Sequence, residues 1–328
     1  MTSYHNPLAS VCIITYNQEK YISQAIESVL MQKTNFAWEI VIGEDCSQDI
    51  TAQILSKYKD KYPNQITLIL QEKNVGAIRN AYEFSIPACR GKYIAFLEGD
   101  DYWTDEFKLQ KQVDFLESNP DYGLVHGDVN HYFESTGNTE YSVNKKNKIN
   151  VSNGSVFYEL LKPNPLFIKT ATTCFRKELV INYFDYNIAI KENWPLSDIA
   201  LWMDITYHSK AYYFNEVFAT YRLLNESASR TKDWKKKMYY HQSLFQIKLH
   251  YIKKYTCDNS IKSKLEEIYY RGLLKIAYNL GDAKSIDESV TFLKKNKHSI
   301  TLKDKFLILS SKNKVLNKII GLFNHNVK

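Results

Sequence analysis

A chain of 328 residues with 44% apolar and 24% charged residues can bury a substantial core as one large domain or two smaller ones, which excludes disorder over most of its length. Its five cysteines, Cys12, Cys46, Cys89, Cys174 and Cys257, are odd in number, widely spaced and without a C-x-x-C pair, so neither a disulfide framework nor a zinc ribbon is expected. The net charge of +7 hides a division: from Lys232 onward there are 21 Lys and Arg against 8 Asp and Glu, while residues 1–231 carry 22 against 28. An acidic body is joined to a basic tail, and the tail should seek a partner that the body does not.

Met1 to Pro7 is polar and has no signal-peptide core, and no run of 18 apolar residues occurs, which points to a reducing, cytoplasmic location. Strand candidates then open near Val11 (SVCIIT), Glu39 (EIVIG), Ile66 (ITLIL) and Tyr93 (YIAFL), at spacings of 28, 27 and 27 residues. Strands at that interval, separated by helices, read as successive βαβ units of a mostly parallel sheet. Ile22, Ala25, Ile26, Val29 and Leu30 fall on one helical face. A second helix is expected after Ser47-Gln48-Asp49, ending near Pro63, and a third from Gly76 to between Pro87 and Gly91. Beyond Asp128 the pattern loosens, and loops with a few strands are expected, with turns at Thr136-Gly137-Asn138 and Lys162-Pro163-Asn164-Pro165. From Lys232 helical periodicity returns, as in Leu265, Ile268, Tyr269, Ile276, Ala277 and Leu280.

Ligands of open α/β sheets bind outside the carboxyl ends of the strands. Thr15, Tyr16 and Asn17 follow the first strand, Glu44 and Asp45 the second, and Glu72, Asn74 and Gly76 the third, with Arg79 one turn on. The fourth strand ends in Glu98-Gly99-Asp100-Asp101, followed by Tyr102 and Trp103. Hard divalent cations take oxygen ligands, usually one or two carboxylates plus substrate phosphates, so this turn is a candidate metal–diphosphate site with Asp100 as the metal ligand. An aromatic such as Trp103 can pack on the C–H face of a sugar, and an ordinary core role is equally open. Asp45 and Asp49 could instead serve as helix caps.

In these residues the chain resembles the family 2 glycosyltransferases, inverting enzymes of GT-A fold that use nucleotide-sugars, over roughly residues 8 to 230. The resemblance rests on Ser10 to Asn17, Ile40 to Asp49, Asn74-Val75-Gly76 with Arg79-Asn80, and Glu98-Gly99-Asp100-Asp101 as a D-x-D-type motif. Two later stretches add to it: Trp194 to Trp202, similar to the family's E-D-x-x-L-W, and Val217 to Arg222 with Ser227 and Ser229. It implies that Asp198 is the catalytic base and that Thr15, Asp45 and Arg79 contact base and ribose. Tyr16, Asn17, Glu44, Asn74, Glu98, Gly99, Asp101 and Trp103 would complete the nucleotide-sugar site, with Mn²⁺ or Mg²⁺ on Asp100. The chain departs from the family pattern at Glu44 and Glu98, where Asp is usual, at Cys46, where Gly is usual, and at Leu224, where many relatives have His.

The implied architecture is an α/β GT-A catalytic domain over 1–231, with a donor half about 8–128 and an acceptor half about 129–231, and a basic helical region over 232–328. The implied activity is metal-dependent transfer from a nucleotide-sugar, UDP-sugar preferred, to a hydroxyl of a glycan, lipid-linked or glycoconjugate acceptor in surface-glycan synthesis. A non-catalytic nucleotide-sugar-binding protein is the alternative, and a nucleotidyltransferase a weaker third. The lysine-rich tail suits an anionic membrane surface at the inner face of the cell membrane, or else packs on the catalytic domain with its lysines solvated. No nucleic-acid motif is present and no nucleic acid partner is expected.

Overall fold

The computed structural model describes residues 6–162, 168–224, 231 and 233–312. Most of the turn at Lys162-Pro163-Asn164-Pro165, Ser227 and Ser229, and the basic end from Lys314 lie outside these residues. The chain divides into two compact units, the first Met1–Leu160, Asn164–Asn193 and Ser197–Asn225, the second Leu161–Pro163, Trp194–Leu196 and Glu226–Lys328. Leu161–Pro163, Trp194–Leu196 and the stretch from Glu226 to 231 thus fall in the second unit, on the far side of the 231/232 division expected from sequence.

In the first unit β1 (Ala9–Thr15), α1 (Ile22–Leu30), β2 (Trp38–Glu44), α2 (Thr51–Lys61) and β3 (Ile66–Leu70) alternate as the spacing requires. The next crossover has three contiguous parts, α3 (Ala77–Arg79), a π-helical segment (Asn80–Ser85) and α4 (Ile86–Ala88), before β4 (Tyr93–Glu98). Then come β5 (Tyr102–Trp103), α5 (Lys108–Ser118), β6 (Tyr122–Phe133), β7 (Asn138–Glu140), α6 (Val143–Lys146) and α7 (Phe157–Leu161). The unit closes with β8 (Cys174–Arg176), α8 (Lys177–Tyr183), α9 (Tyr186–Lys191), α10 (Ser197–His208) and β9 (Lys210–Leu223).

All nine strands form one sheet in the order β3-β2-β1-β4-β8-β6-β9-β5, with β7 on β6. The parallel pairings β1–β2, β1–β4, β2–β3 and β6–β9 are the long ones, whereas the antiparallel pairings span only two or three residues each. β1, β2 and β4 are apolar nearly throughout because helices cover both faces of a parallel sheet. Val11, Ile13, Ile40, Ile42, Ala95 and Leu97 meet Ile22, Ala25, Ile26 and Val29 of α1 in the main core. All five cysteines are free thiols.

The region past Asp128 is more ordered than its composition suggests. β6 and β9 are twelve and fourteen residues long and pair in parallel through a bulged register. Their polar residues are buried because they hold the following loop: the Asp128 carboxylate accepts N–H groups of Asn144 (2.8 Å) and Lys145 (3.2 Å), and Asn130 Oδ1 accepts that of Ser142 (3.0 Å).

The second unit contains α11 (Trp234–Lys254), α12 (Asn259–Leu280), α13 (Ala283–Lys295) and α14 (Leu302–Lys312). Asp233, Asp258 and Asp282 cap the first three, each accepting a backbone N–H of the first turn. Gly281, at φ +70°, terminates α12 in the left-handed conformation that glycine adopts without a Cβ penalty.

Candidate active site

The carboxyl ends of β1, β2 and β4 and the loop after β3 meet at one rim, where a cavity of about 410 Å³ is lined by Ile14, Thr15, Tyr16, Gln18, Asp45, Asn74, Gly76, Ala77, Asn80 and Glu98. Parallel strands deliver these residues because their ends are in register: Thr15 stands opposite Glu44, and Ile14 opposite Glu98. Asp45 ties the rim together. Its Oδ1 accepts Val75 N–H at 2.7 Å and its Oδ2 accepts Gly76 N–H at 2.9 Å, while its own N–H donates to Thr15 O at 3.1 Å. Asn74 Nδ2 donates to Asp45 O at 3.2 Å, so the loop after β3 is pinned to the end of β2.

Two neighbouring positions are left-handed without being glycine: Asn17 at φ +53° and Cys46 at φ +60°. Asn17 offsets the cost with Oδ1 accepting Gln48 N–H at 2.8 Å and its own N–H donating to Ser47 Oγ at 2.8 Å. Glu44, buried, accepts Ser47 N–H at 2.7 Å, and Asp49 accepts the N–H groups of Thr51 (2.9 Å) and Glu19 (3.1 Å) at the start of α2. These carboxylates hold loops.

The π-helical segment shapes the opposite wall. It brings Asn80 and Ser85 against β2, where a Cβ on Gly43 would lie 2.2 Å from Ser85 Oγ and 2.5 Å from Asn80 Oδ1. Asn80 Nδ2 donates to Gly43 O at 2.8 Å, and the residue lines the cavity. Widened turns of this kind recur at functional sites because they re-aim one side chain.

The acidic turn after β4 is held from β9. Arg222 N–H donates to Asp101 Oδ1 at 2.8 Å and Nε to Asp100 O at 2.9 Å, while Nη1 and Nη2 reach Glu134 (2.8 Å) and Gln24 (2.6 Å). The guanidinium lies 4.5 Å from the Tyr21 ring centroid and 5.1 Å from that of Tyr132. Gly99 is required by contact, since a Cβ there would stand 2.2 Å from Gln18 Oε1 and 2.9 Å from Thr15 Cβ.

Arg222 does not neutralise the carboxylates. Burial, reinforced by Asp100 and Asp198, pushes Glu98 up to about 8. Burial also raises Asp101 well above the usual range, with Glu98 and Asp100 adding to it. Asp101 Oδ2 is buried and meets no N–H donor among the described residues; its carboxyl instead shares a side-chain hydrogen bond with Glu98. Asp100 is raised by burial, against the pull of Arg222 and a hydrogen bond from Gln18. Carboxyls crowded together share protons or bind a cation.

Asp198 stands in the first turn of α10 and accepts Ile199 N–H at 2.9 Å and the Thr170 hydroxyl at 3.1 Å. Burial raises its pKa, and Lys169 counteracts that. Asp198 and Lys169 both act on Glu98, and Asp198 and Glu98 act on the buried Tyr82, whose hydroxyl bonds Ser197. Asp198 therefore shares one electrostatic neighbourhood with the acidic turn, although its segment is a hundred residues distant in sequence.

Of the residues expected at a donor site, Thr15, Tyr16, Asp45, Asn74 and Glu98 line the cavity; Asn17, Glu44 and Gly99 support its loops. Arg79 instead pairs with Glu83 at 2.8 Å along its own helix and is not part of the lining. Trp103 belongs to the core: it is 2% exposed, donates Nε1 to Ala171 O at 2.9 Å, and carries Lys108 Nζ 3.9 Å from its ring centroid. The sugar-pocket assignment for Trp103 is corrected accordingly, because β5 pairs with β9 and turns this side chain inward. Sequence reasoning did not single out Gln18, Ala77, Tyr82 or Lys169, and it quoted Asn80 and Arg222 only within longer stretches.

Residues 10–184 match the family described as Glycosyl transferase family 2. The chain belongs to glycosyl transferase family 2. Among relatives, the putative teichuronic acid biosynthesis glycosyltransferase TuaG of Bacillus subtilis is 30% identical over 282 residues, 81% of this chain and 100% of that protein. An uncharacterised Mycobacterium tuberculosis protein is 42% identical over 112 residues, 34% of this chain; the match spans only 32%, about a third, of that relative's length. Among solved structures, Staphylococcus aureus TarS 1-349 in complex with UDP superposes with a TM-score of 0.52 at 16% identity, covering 92% of this chain and 78% of that one. The mannosyltransferase PcManGT of Pyrobaculum calidifontis, in complex with GDP-Man and Mn²⁺, gives 0.54 at 14% identity, covering 98% and 88%. The first unit has the GT-A fold expected of family 2, and a helical C-terminal region follows it.

Proposed function

We propose that this chain transfers a sugar from a nucleotide-sugar, UDP-sugar preferred, to a hydroxyl acceptor in surface-polysaccharide, lipid-linked oligosaccharide or glycoconjugate synthesis. The observation that carries the reading is the rim cavity whose wall includes Glu98, the first carboxyl of a buried acidic turn. TuaG and TarS, whose names place them in teichuronic acid biosynthesis and poly(ribitol-phosphate) modification, support the acceptor class. The UDP held by TarS supports the donor class.

A divalent cation fits the residues present. Glu98, Asp100 and Asp101 offer only oxygen donors, and their mutual repulsion falls when positive charge arrives. Among the described residues no group of three or more His, Cys, Asp or Glu is arranged so as to hold a metal ion by itself. Asp100 is the proposed ligand. When bound, the cation would supply Lewis-acid stabilisation of the leaving diphosphate.

The chain's own groups do the rest. Asp45 and Asn74 hold the donor loop, and Thr15 and Gln18 pack beneath the acidic turn. Asp198 is the proposed base, removing the acceptor proton as the hydroxyl attacks; burial raises its proton affinity, which suits that role. Direct attack opposite the leaving group gives inversion.

The test is donor hydrolysis and transfer across UDP-, GDP- and dTDP-sugars with Mn²⁺ or Mg²⁺, for wild type, Asp100→Ala and Asp198→Asn. Metal-dependent release of one nucleotide, reduced at least about a hundredfold in both variants while Asp198→Asn still binds donor, is expected. Unchanged turnover in either variant with the fold intact removes that residue's role, and failure to bind any nucleotide removes the donor-site reading.

A further inference from the structure

A second cavity, of about 450 Å³, lies wholly within the first unit, and Asp121, Arg176, Glu178, Tyr207, His208 and Lys210 are among its lining. It opens where β6 and β9 begin, Tyr122 standing opposite Lys210. β6 runs parallel to β9 and antiparallel to β8, which is antiparallel to β4, so β4, β6 and β9 share one direction. The donor cavity sits at the carboxyl end of β4 and this one at the amino ends of β6 and β9, at opposite ends of the sheet. Its size is that of a small-ligand site, about 300–1,000 Å³. One side is aromatic. Tyr183 stacks on His208 with centroids 3.5 Å apart, His208 meets Tyr207 edge-on at 5.1 Å, and Tyr207 meets Phe157 at 5.1 Å, which in turn meets Tyr158 at 5.3 Å. Phe157 is buried and anchors the row, whereas Tyr158, Tyr183 and Tyr207 are 53%, 39% and 43% exposed.

The charged part of the lining is balanced. Asp121 and Glu178 are exposed acceptors, and Lys210 Nζ lies 3.0 Å from Asp121 Oδ2. Arg176 is 8% exposed and donates only to neutral oxygens: Nε to Tyr122 O (2.8 Å), Nη1 to Tyr93 Oη (3.1 Å), and Nη2 to Leu116 O (2.6 Å) and Asn119 O (3.3 Å). A guanidinium has five N–H groups, so a buried cation at the cavity wall keeps one donor to give. We propose that this cavity and its aromatic row bind uncharged sugar residues of a glycan chain. Exposed ring faces, electron-rich at their centres, pack against the C–H faces of pyranoses. Sugar hydroxyls both donate and accept, and so meet carboxylates and cations in one lining. Two carboxylates against two cations leave no net field to draw a polyanion, and Asp121 and Glu178 would oppose a phosphate. A lipid tail or an apolar peptide would strip water from four charged groups and replace none of it. The inference does not depend on the donor-site reading, since it concerns the other end of the sheet.

Calorimetry of the full chain with the uncharged hexaoses of glucose, mannose and N-acetylglucosamine tests it. At least one is expected to bind with a Kd of about 1 mM or tighter. Affinity should fall at least about tenfold in Tyr183→Ala with Tyr207→Ala, and likewise in Asp121→Ala with Glu178→Ala, while circular dichroism confirms the fold. All four side chains are exposed, so neither variant opens the core. Full binding by either variant places the sugar elsewhere and overturns the proposal, as does failure of all three hexaoses to bind. Preference for inorganic phosphate or dextran sulfate over the hexaoses overturns it too. So does self-association, without sugar binding, that the tyrosine variant abolishes. Calorimetry requires no turnover, so its outcome is separable from that of the transfer assay.

Discussion

Replacing Arg222 by Lys keeps the charge and removes the fork, which makes it a sharp probe of how the acidic turn is held. The guanidinium is 7% exposed and spends its N–H groups in three directions, on Asp100 O, Glu134 and Gln24. A lysine ammonium on a flexible stem reaches one of these acceptors in good geometry. Two charge-assisted hydrogen bonds are then lost, each about 1.5–3 kcal/mol, and the one to Glu134 is discounted because that side chain is 34% exposed. The expected cost is about 2–4 kcal/mol, or roughly 4–16 °C in the melting of a unit this size. Differential scanning calorimetry measures it. A merely structural arginine predicts that kcat recovers once the variant is folded at low temperature. A positioning role predicts that kcat stays about tenfold down while donor KM changes little, because the Asp100 carbonyl is no longer fixed. A melting shift under about 2 °C together with turnover within about twofold of wild type would refute the reasoning.

Lys108 is fully buried, donates to Gln112 Oε1 (2.8 Å) and Thr173 O (3.2 Å), and burial pulls its pKa to about 7. The unfolded chain binds the extra proton between about 7 and the ordinary lysine value, so this group's contribution is present above that value and lost as pH falls through about 7; Lys108→Met should flatten the urea midpoint against pH, and parallel curves would count against it. Gly99→Ala drives a Cβ onto Thr15 and Gln18 and should weaken donor binding at least about tenfold by calorimetry, with unaltered affinity refuting the close contact. Cys46→Gly relieves a left-handed cysteine at roughly 1–2 kcal/mol, offset by about 0.5–1 kcal/mol of glycine entropy, so the melting temperature should rise slightly; a fall would show that the Sγ contact to Glu72 O at 3.6 Å matters more.

The donor half was legible because its information is local. Continuous apolar runs at a near-constant interval admit few structures besides βαβ units, and the strands β1 to β4 open where those runs do. The second half was not, because its strands carry function-like residues for structural reasons. Asp128 and Asn130 break the apolar pattern of β6 while serving as buried anchors for the loop after it, and Gly127 occurs where a Cβ would meet Phe218 at 2.5 Å. The π-helical segment was equally silent, since no residue in Asn80 to Ser85 announces an extra turn residue; the constraint comes from Gly43 across the sheet. Trp103 shows the converse error, an aromatic beside a motif whose direction only the β5–β9 pairing decides.

Sorting the carboxylates by the charges around them separates scaffold from site, since Asp101 and Asp198 also accept backbone N–H groups, from Arg222 and Ile199. Glu44, Asp45, Asp49 and Asp128 each accept backbone N–H groups, so their charge is satisfied within the fold and their loss would loosen loops. Asp100, Asp101, Glu98 and Asp198 are instead raised together by burial, and Glu98 faces two of the others as like charges. Arg222 and Lys169 each act on only part of this set. Evolution rarely tolerates an unneutralised buried acidic cluster for stability, since each such group costs more than the hydrogen bonds around it return. On the proposed function, the balancing positive charge would come as protons in the free protein and with the ligand in the working one. On that argument donor and cation should bind synergistically, releasing protons as they do. Calorimetry in two buffers of different ionisation enthalpy reads the proton count directly, and a count of zero near neutral pH would mean that the cluster is already ionised and the cation is not what it awaits.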